Sequence, residues 1–223
     1  MYSFQFKVLF MFNVFLKRKA QKYIITKITK ARRGRLKAHN WEDLQKLIPD
    51  QMSQSVMGYT YTCPDLIGGG EYQSFLQAST IDQELVVRSA QIHALMPMMQ
   101  FSVAPWRVLS TENQEICLKM AKLHEKMGPM ILELAKQASK TGEPIVKPMA
   151  FAFPESGFET IKDQFMLGDD ILVAPVVEKG ARSRTVVIPQ GNWKSDEGKL
   201  IEGGKTIEIN VPLERLPYFT KQK

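Results

Sequence analysis

The sequence predicts an α/β part followed by an all-β part: the last units of a (β/α)8 TIM barrel, then a C-terminal antiparallel β-sandwich. Three observations lead there. Between Trp41 and Lys140, β-branched or aromatic runs alternate with stretches whose apolar residues recur every three or four positions. After Pro144 the helical period gives way to short strand-like runs separated by turn residues. The first residues share neither pattern. The expected boundaries are a basic tail over 1–38, the barrel part over 39–144 and the β-sandwich over 145–223.

Asn40 precedes Trp41-Glu42-Asp43, an N-cap followed by acids in the first turn. Leu44, Leu47, Ile48 and Met52 continue at helical spacing, so a helix starts near Trp41, bends or restarts at Pro49 and ends by Gly58. Tyr59 to Cys63 reads as a strand, closed by Pro64-Asp65 and followed by the loop Gly68-Gly69-Gly70. Ile81 to Leu95 is helical. Met99 to Val103 is a second strand, closed by Ala104-Pro105-Trp106. Thr111 to Lys140 is a long helical region with Ile116, Met120, Leu123, Met127, Ile131, Leu134 and Ala138 on one face. Gly128-Pro129 is expected to kink or divide it. Strand-like runs follow at Ile145-Val146, Phe165 to Leu167, Ile171 to Val173, Thr185 to Ile188 and Thr206 to Val211. Gly168-Asp169-Asp170, Pro189 to Asn192 and Gly203-Gly204 read as the turns between them.

Charge excludes one class of function. The net charge of +7 suggests a nucleic-acid partner. Yet residues 1–40 hold eleven Lys and Arg and no Asp or Glu, so the rest of the chain is mildly acidic, at net −4. A basic end segment is not a folded binding face, so no nucleic-acid partner is expected. The apolar start, Met1 to Leu16, is shorter than the ~20 residues that span a bilayer. Its charges follow the apolar stretch, the reverse of a secretory signal. An altered start without function and a membrane-contacting or targeting segment both stay open for it. The two cysteines, Cys63 and Cys117, sit among apolar residues and read as buried thiols. No Cys/His cluster implies a metal, and no cofactor motif is present. The compartment is not legible.

Several segments, in order, resemble glycoside hydrolase family 31. Cys63-Pro64-Asp65-Leu66-Ile67-Gly68-Gly69 is similar to the family's loop after the seventh barrel strand. Glu84-Leu85, Arg88, Gln91 and Pro97 resemble its E-L-x-x-R-W-x-Q helix and closing proline, with Ser89 where Trp is usual. Asp163 to Val176 resembles the D-x-F-M-x-G-x-x-L-L-V-A-P-V run that opens the β-sandwich, and Ile188 to Trp193 the L-P-x-G-x-W turn after it.

The resemblance implies a retaining α-glycosidase acting on an α-linked glycoside, with one Asp nucleophile after the fourth strand and an Asp acid/base after the sixth. Retention needs both, one to form the glycosyl intermediate and one to protonate the leaving oxygen. No carboxylate side chain precedes Glu42, and Leu36 stands where the acid/base is expected. The chain is therefore expected to be a fragment, inactive alone, with no catalytic residue assigned. An incomplete barrel also exposes sheet edges, so a complementary chain or an oligomer is an expected partner. The expected substrate-binding residues are Asp65, Gln100, Ser102 and Trp106, at or just after the C-terminal ends of two barrel strands. In Pro97-Met98-Met99-Gln100-Phe101-Ser102, Gln100 and Ser102 replace the Arg and His of the family's glucosidases, which is more similar to a branch with α-galactoside specificity. The alternative is a noncatalytic carbohydrate-binding or interaction protein of the same fold. Arg88 is expected to form an ion pair with Asp65 or Glu84. His39, His93 and His124 are expected to be structural.

Overall fold

The computed structural model describes residues 31–33, 37–70 and 80–222. Two β/α units come first. Strand β1 (Ala31–Arg33) is followed by helix α1 (Trp41–Val56), strand β2 (Tyr61–Cys63) and helix α2 (Gln83–Ala94). β1 and β2 pair in parallel, Arg32 opposite Thr62. The chain after β2 then makes a parallel bridge between Ile67 and Phe101. A short helix α3 (Pro105–Val108) and the 31-residue helix α4 (Thr111–Thr141) complete this part.

Local sequence accounts for the helix ends. The Asn40 side chain accepts from Asp43 N at 2.8 Å, the Asp82 side chain from Leu85 N at 3.2 Å and the Ser110 hydroxyl from Asn113 N at 3.4 Å. Gly142 closes α4 with φ of +75°, a left-handed conformation that suits glycine, and its N–H bonds to Ala138 O.

Of the alternatives expected at the two prolines, restart and division do not occur. α1 runs through Pro49 and α4 through Pro129 without division. Each proline removes one backbone donor, but tertiary packing outweighs that loss: Leu44, Leu47, Ile48 and Met52 flank Pro49 on the buried face, and Gly128 and Ile131 flank Pro129. A correction concerns Met99 to Val103, where the parallel pairing shrinks to the single bridge at Phe101.

The C-terminal part is an antiparallel β-domain. β3 (Val146–Pro148), a short helix α5 (Met149–Ala152), β4 (Phe165–Leu167) and β5 (Ile171–Val173) come first. β6 (Ser183–Ile188), β7 (Asn192–Ser195), β8 (Leu200–Glu202), β9 (Lys205–Asn210) and β10 (Tyr218–Gln222) follow. Six strands form one sheet in the order β3-β4-β5-β10-β7-β8, and β6 pairs with β9 in a separate ribbon. Sequence reading took Asn192 as a turn and left out β7, β8 and β10. β7 is a strand because Trp193 and Ser195 alternate inward between exposed Asn192 and Lys194.

Strands β4 and β5 of the six-stranded sheet are buried on both faces. Phe165, Leu167, Ile171 and Val173 face a core shared with α1, α2 and α4, while Met166 and Leu172 face a second core with Val186, Ile188, Trp193 and Phe219. The β-domain therefore packs its sheet between the helices and the β6–β9 ribbon. Both cysteines are buried thiols. Among the described residues no helix is long and apolar enough to cross a membrane.

Candidate functional site

The parallel bridge at Ile67 and Phe101 sets the segment after β2 beside Gln100 to Ser102. Ile67 N donates to Gln100 O at 2.8 Å, and Ile67 O accepts from Ser102 N at 3.3 Å and from Ser102 Oγ at 2.7 Å. Asp65, Gln100 and Ser102 thus lie on adjoining parallel segments. Gln100, Ser102 and Trp106 are half-buried, Trp106 packing on the main core from α3.

Asp65 is wholly buried. Its Oδ2 accepts from Lys37 N at 2.7 Å and from Gly70 N at 2.9 Å, while Oδ1 has no hydrogen-bond partner among the described residues. One carboxylate oxygen therefore ties the segment after β1 to the end of its own loop. The Asp65 carbonyl is held as well, accepting from the Cys63 thiol at 2.9 Å and lying 3.0 Å from His93 Nε2. Burial pushes the His93 ring toward its neutral form; the Ser89 and Asp65 carbonyls and the Asp65 charge oppose that.

Residues that sequence reading did not assign to the site hold its loop. The Ser89 hydroxyl accepts from Gly68 N at 3.1 Å. His39 Nε2 accepts from Asp82 N at 3.0 Å, which leaves Nδ1 as the donor to Gly68 O at 2.7 Å. Gly69 has φ of +101°, and a Cβ there would stand 2.9 Å from the Ala38 carbonyl carbon. Only glycine lets the loop come so close to the chain after β1. The one signal in the sequence was Ser89 itself, a small hydroxyl where the resemblance leads one to expect Trp.

Three other acids of this part are paired elsewhere, and Glu71 lies outside the described residues. Asp43 accepts from Ala38 N at 2.9 Å and pairs with Lys46, Asp50 pairs with Lys37, and Asp82 caps α2 while pairing with Lys179 at 2.8 Å. In the β-domain Asp163 pairs with Arg184, and Asp169 and Asp170 lie in the turn between β4 and β5, with Lys147 on Asp169. Leu36 lies outside the described residues. Among the described residues no group of His, Cys, Asp and Glu stands close enough to hold a metal ion.

Of the two ion-pair partners expected for Arg88, the structure gives Glu84 and not Asp65. The guanidinium stands 4.0 Å from the Glu84 carboxylate and also donates to main-chain carbonyls of the β-domain.

Residues 142–223 match the glycosyl hydrolase family 31 C-terminal domain. The chain belongs to glycoside hydrolase family 31, in its C-terminal part. It is 37% identical over 187 residues to the myogenesis-regulating glycosidase of Mus musculus, across 79% of this chain and 26% of that one. It is 33% identical to the SITS-binding protein of Tetronarce californica, across 81% of this chain and 26% of that one. The chain thus spans about a quarter of the length of these curated relatives. The fold is similar to that of a family 31 α-xylosidase from a soil metagenome, solved with xylose. That likeness has a TM-score of 0.74 at 27% identity and covers 83% of this chain and 31% of the other. The long motif Asp163 to Val176, with β4, its turn and β5, lies inside the family match.

Proposed function

We propose that this chain carries the C-terminal portion of an α-glycoside site without the two carboxylates that retaining hydrolysis requires. Its β/α units are the last of a (β/α)8 barrel. Gln100, Ser102 and Trp106 contact the sugar, and Asp65 shapes the loop beside them while keeping Oδ1 as an acceptor. No metal or cofactor is assigned. The observation that carries this reading is the state of the acids. None precedes Glu42 in the sequence, and the one at the strand end, Asp65, has an oxygen taken by two backbone amides. A lone carboxylate cannot serve as nucleophile and as proton donor to the leaving group at once. With Gln100 and Ser102 at the rim, the favoured ligand is an α-galactoside over an α-glucoside. A β1 edge that no described residue pairs also favours association with a complementary chain.

A noncatalytic binding protein is the second reading. It is favoured by the SITS-binding relative, whose name is that of a binding protein. Amide NMR of the chain titrated with methyl α-galactoside and methyl α-glucoside separates the two. The first reading expects shifts at Gly68, Gly70, Phe101 and Ser102, larger for the galactoside and lost in a Gln100→Ala/Ser102→Ala variant. Shifts confined to residues 165–222 would move binding to the β-domain, and no shift with either sugar would remove the sugar rim.

A further inference from the structure

Helix α2 carries two sets of polar side chains on different faces, and each set bonds to a different part of the molecule. Ser89 and His93, one turn apart, face the rim loop: Ser89 Oγ holds Gly68 N, and His93 Nε2 lies against the Asp65 carbonyl. Arg88 and Gln91, also about one turn apart, face the β-domain. Arg88 Nη2 donates to Ala181 O at 3.1 Å and Val211 O at 3.0 Å, and Nη1 donates to Gln91 Oε1 at 3.0 Å and leans toward Pro212 O and Arg215 O. Gln91 Nε2 donates to Leu213 O at 2.6 Å. The N-terminal turn adds Glu84, which pairs with Arg182, and its cap Asp82, which pairs with Lys179.

Arg88 is completely buried. A buried guanidinium is tolerated only where acceptors surround it, because the cost of desolvating the charge is otherwise large. Here the acceptors are the Gln91 amide oxygen and carbonyls of the 181 and 211–215 segments, which run between strands, with the Glu84 carboxylate 4.0 Å away. Each side therefore satisfies the other: the segments supply oxygens for the cation, and the cation supplies donors for the oxygens. Helices transmit displacement well because their own hydrogen bonds resist bending.

We propose that α2 is a strut through which the β-domain sets the Asp65–Gly69 loop, with Arg88 and Gln91 as positioning residues. A domain that does not itself form the rim thereby fixes its shape. The strut acts on the loop whether or not a sugar binds there, so it is tested without ligand, and its failure is separate from failure of the sugar-site reading.

The test is hydrogen–deuterium exchange of the full chain, read by segment, for wild type, Arg88→Met and Gln91→Ala. Gln91→Ala removes one bond to the β-domain and one acceptor of Arg88 and leaves the charge in place, so it carries the test if Arg88→Met does not fold. The expected result is exchange about tenfold faster in residues 62–70, the loss for a hydrogen bond to a charged or buried group. The middle of α4 should keep its wild-type protection. Two results overturn the proposal. In one, the 211–215 segment loosens while 62–70 does not, which makes Arg88 and Gln91 local to the β-domain. In the other, 62–70 and α4 loosen by the same factor, which is global destabilisation and not coupling.

Discussion

The two parts of this chain differ in how completely they satisfy their own buried polar groups. Among the described residues, the buried side-chain atoms without a partner are Gln51 Oε1, Gln54 Oε1, Asp65 Oδ1 and Arg88 Nε, all in the β/α part. The β-domain buries comparable groups and pairs them. Gln164 Nε2 donates to Val187 O at 3.0 Å while its Oε1 accepts from Val187 N at 2.9 Å, and the Trp193 indole donates to Pro189 O at 2.9 Å. Arg215 takes both oxygens of Asp196, at 2.8 and 2.9 Å. These partners come from neighbouring segments of the β-domain itself: Val187 in the β6–β9 ribbon, Pro189 just after β6 and Asp196 just after β7. The part that shapes the rim is thus the part less able to satisfy itself.

The largest expected consequence is acid lability confined to the β/α part. All three histidines, His39, His93 and His124, lie there. Burial pushes the His124 ring down to about 4, with neighbouring His93 adding to the effect and the Ala94 carbonyl opposing it. A histidine whose folded value lies below its unfolded 6.5 stabilises the fold above pH 6.5. That stability is lost as pH falls toward 4, because the unfolded chain binds the proton more readily. The span corresponds to roughly 3 kcal/mol. Urea melts at pH 7 and pH 4.5, followed by amide signals of α4 and of β4–β5, should show α4 losing more stability, and His124→Gln should remove much of the difference. Equal losses in both parts would erase the contrast.

Much of this contrast could be read from residues, and some could not. The switch of period at Pro144 marked the change of architecture, and the caps Asn40 and Asp82 and the closing Gly142 fixed helix ends, since each is a local signal. That α1 and α4 stay continuous through Pro49 and Pro129 was not legible, because local rules omit the tertiary packing that holds them. β10 was missed because its pairing with β5 and β7 is remote in sequence. At the candidate site, that the Asp65 segment and the Gln100 to Ser102 segment adjoin was legible from the rule that parallel strands end on one side. The partners of Asp65, the Lys37 and Gly70 amides, were not, since backbone donors leave no mark in side-chain identity. For Arg88, charge pointed to Glu84, which stands 4.0 Å away, while the carbonyls it also meets come from residues about a hundred positions on and were not legible.

A matched pair of substitutions sharpens the comparison at smaller scale. Gln164→Leu strips the Val187 amide and carbonyl of their side-chain partner and should cost about 2 kcal/mol. Gln51→Leu also removes a donor, to Ser55 and Thr62, but with it goes an acceptor that has no partner, so the change should stay within about 1 kcal/mol. Chemical denaturation of both variants checks this, and a Gln51 loss equal to that of Gln164 would mean the β/α part is as well satisfied as the β-domain.

The most direct measurement is hydrolysis of nitrophenyl α-galactoside and nitrophenyl α-glucoside by the purified chain, beside an Asp65→Asn variant. A site that has its rim but lacks both working carboxylates predicts no turnover above the uncatalysed background for either substrate, with the variant indistinguishable from wild type. Robust turnover that disappears in Asp65→Asn would contradict the account and make Asp65 a catalytic residue.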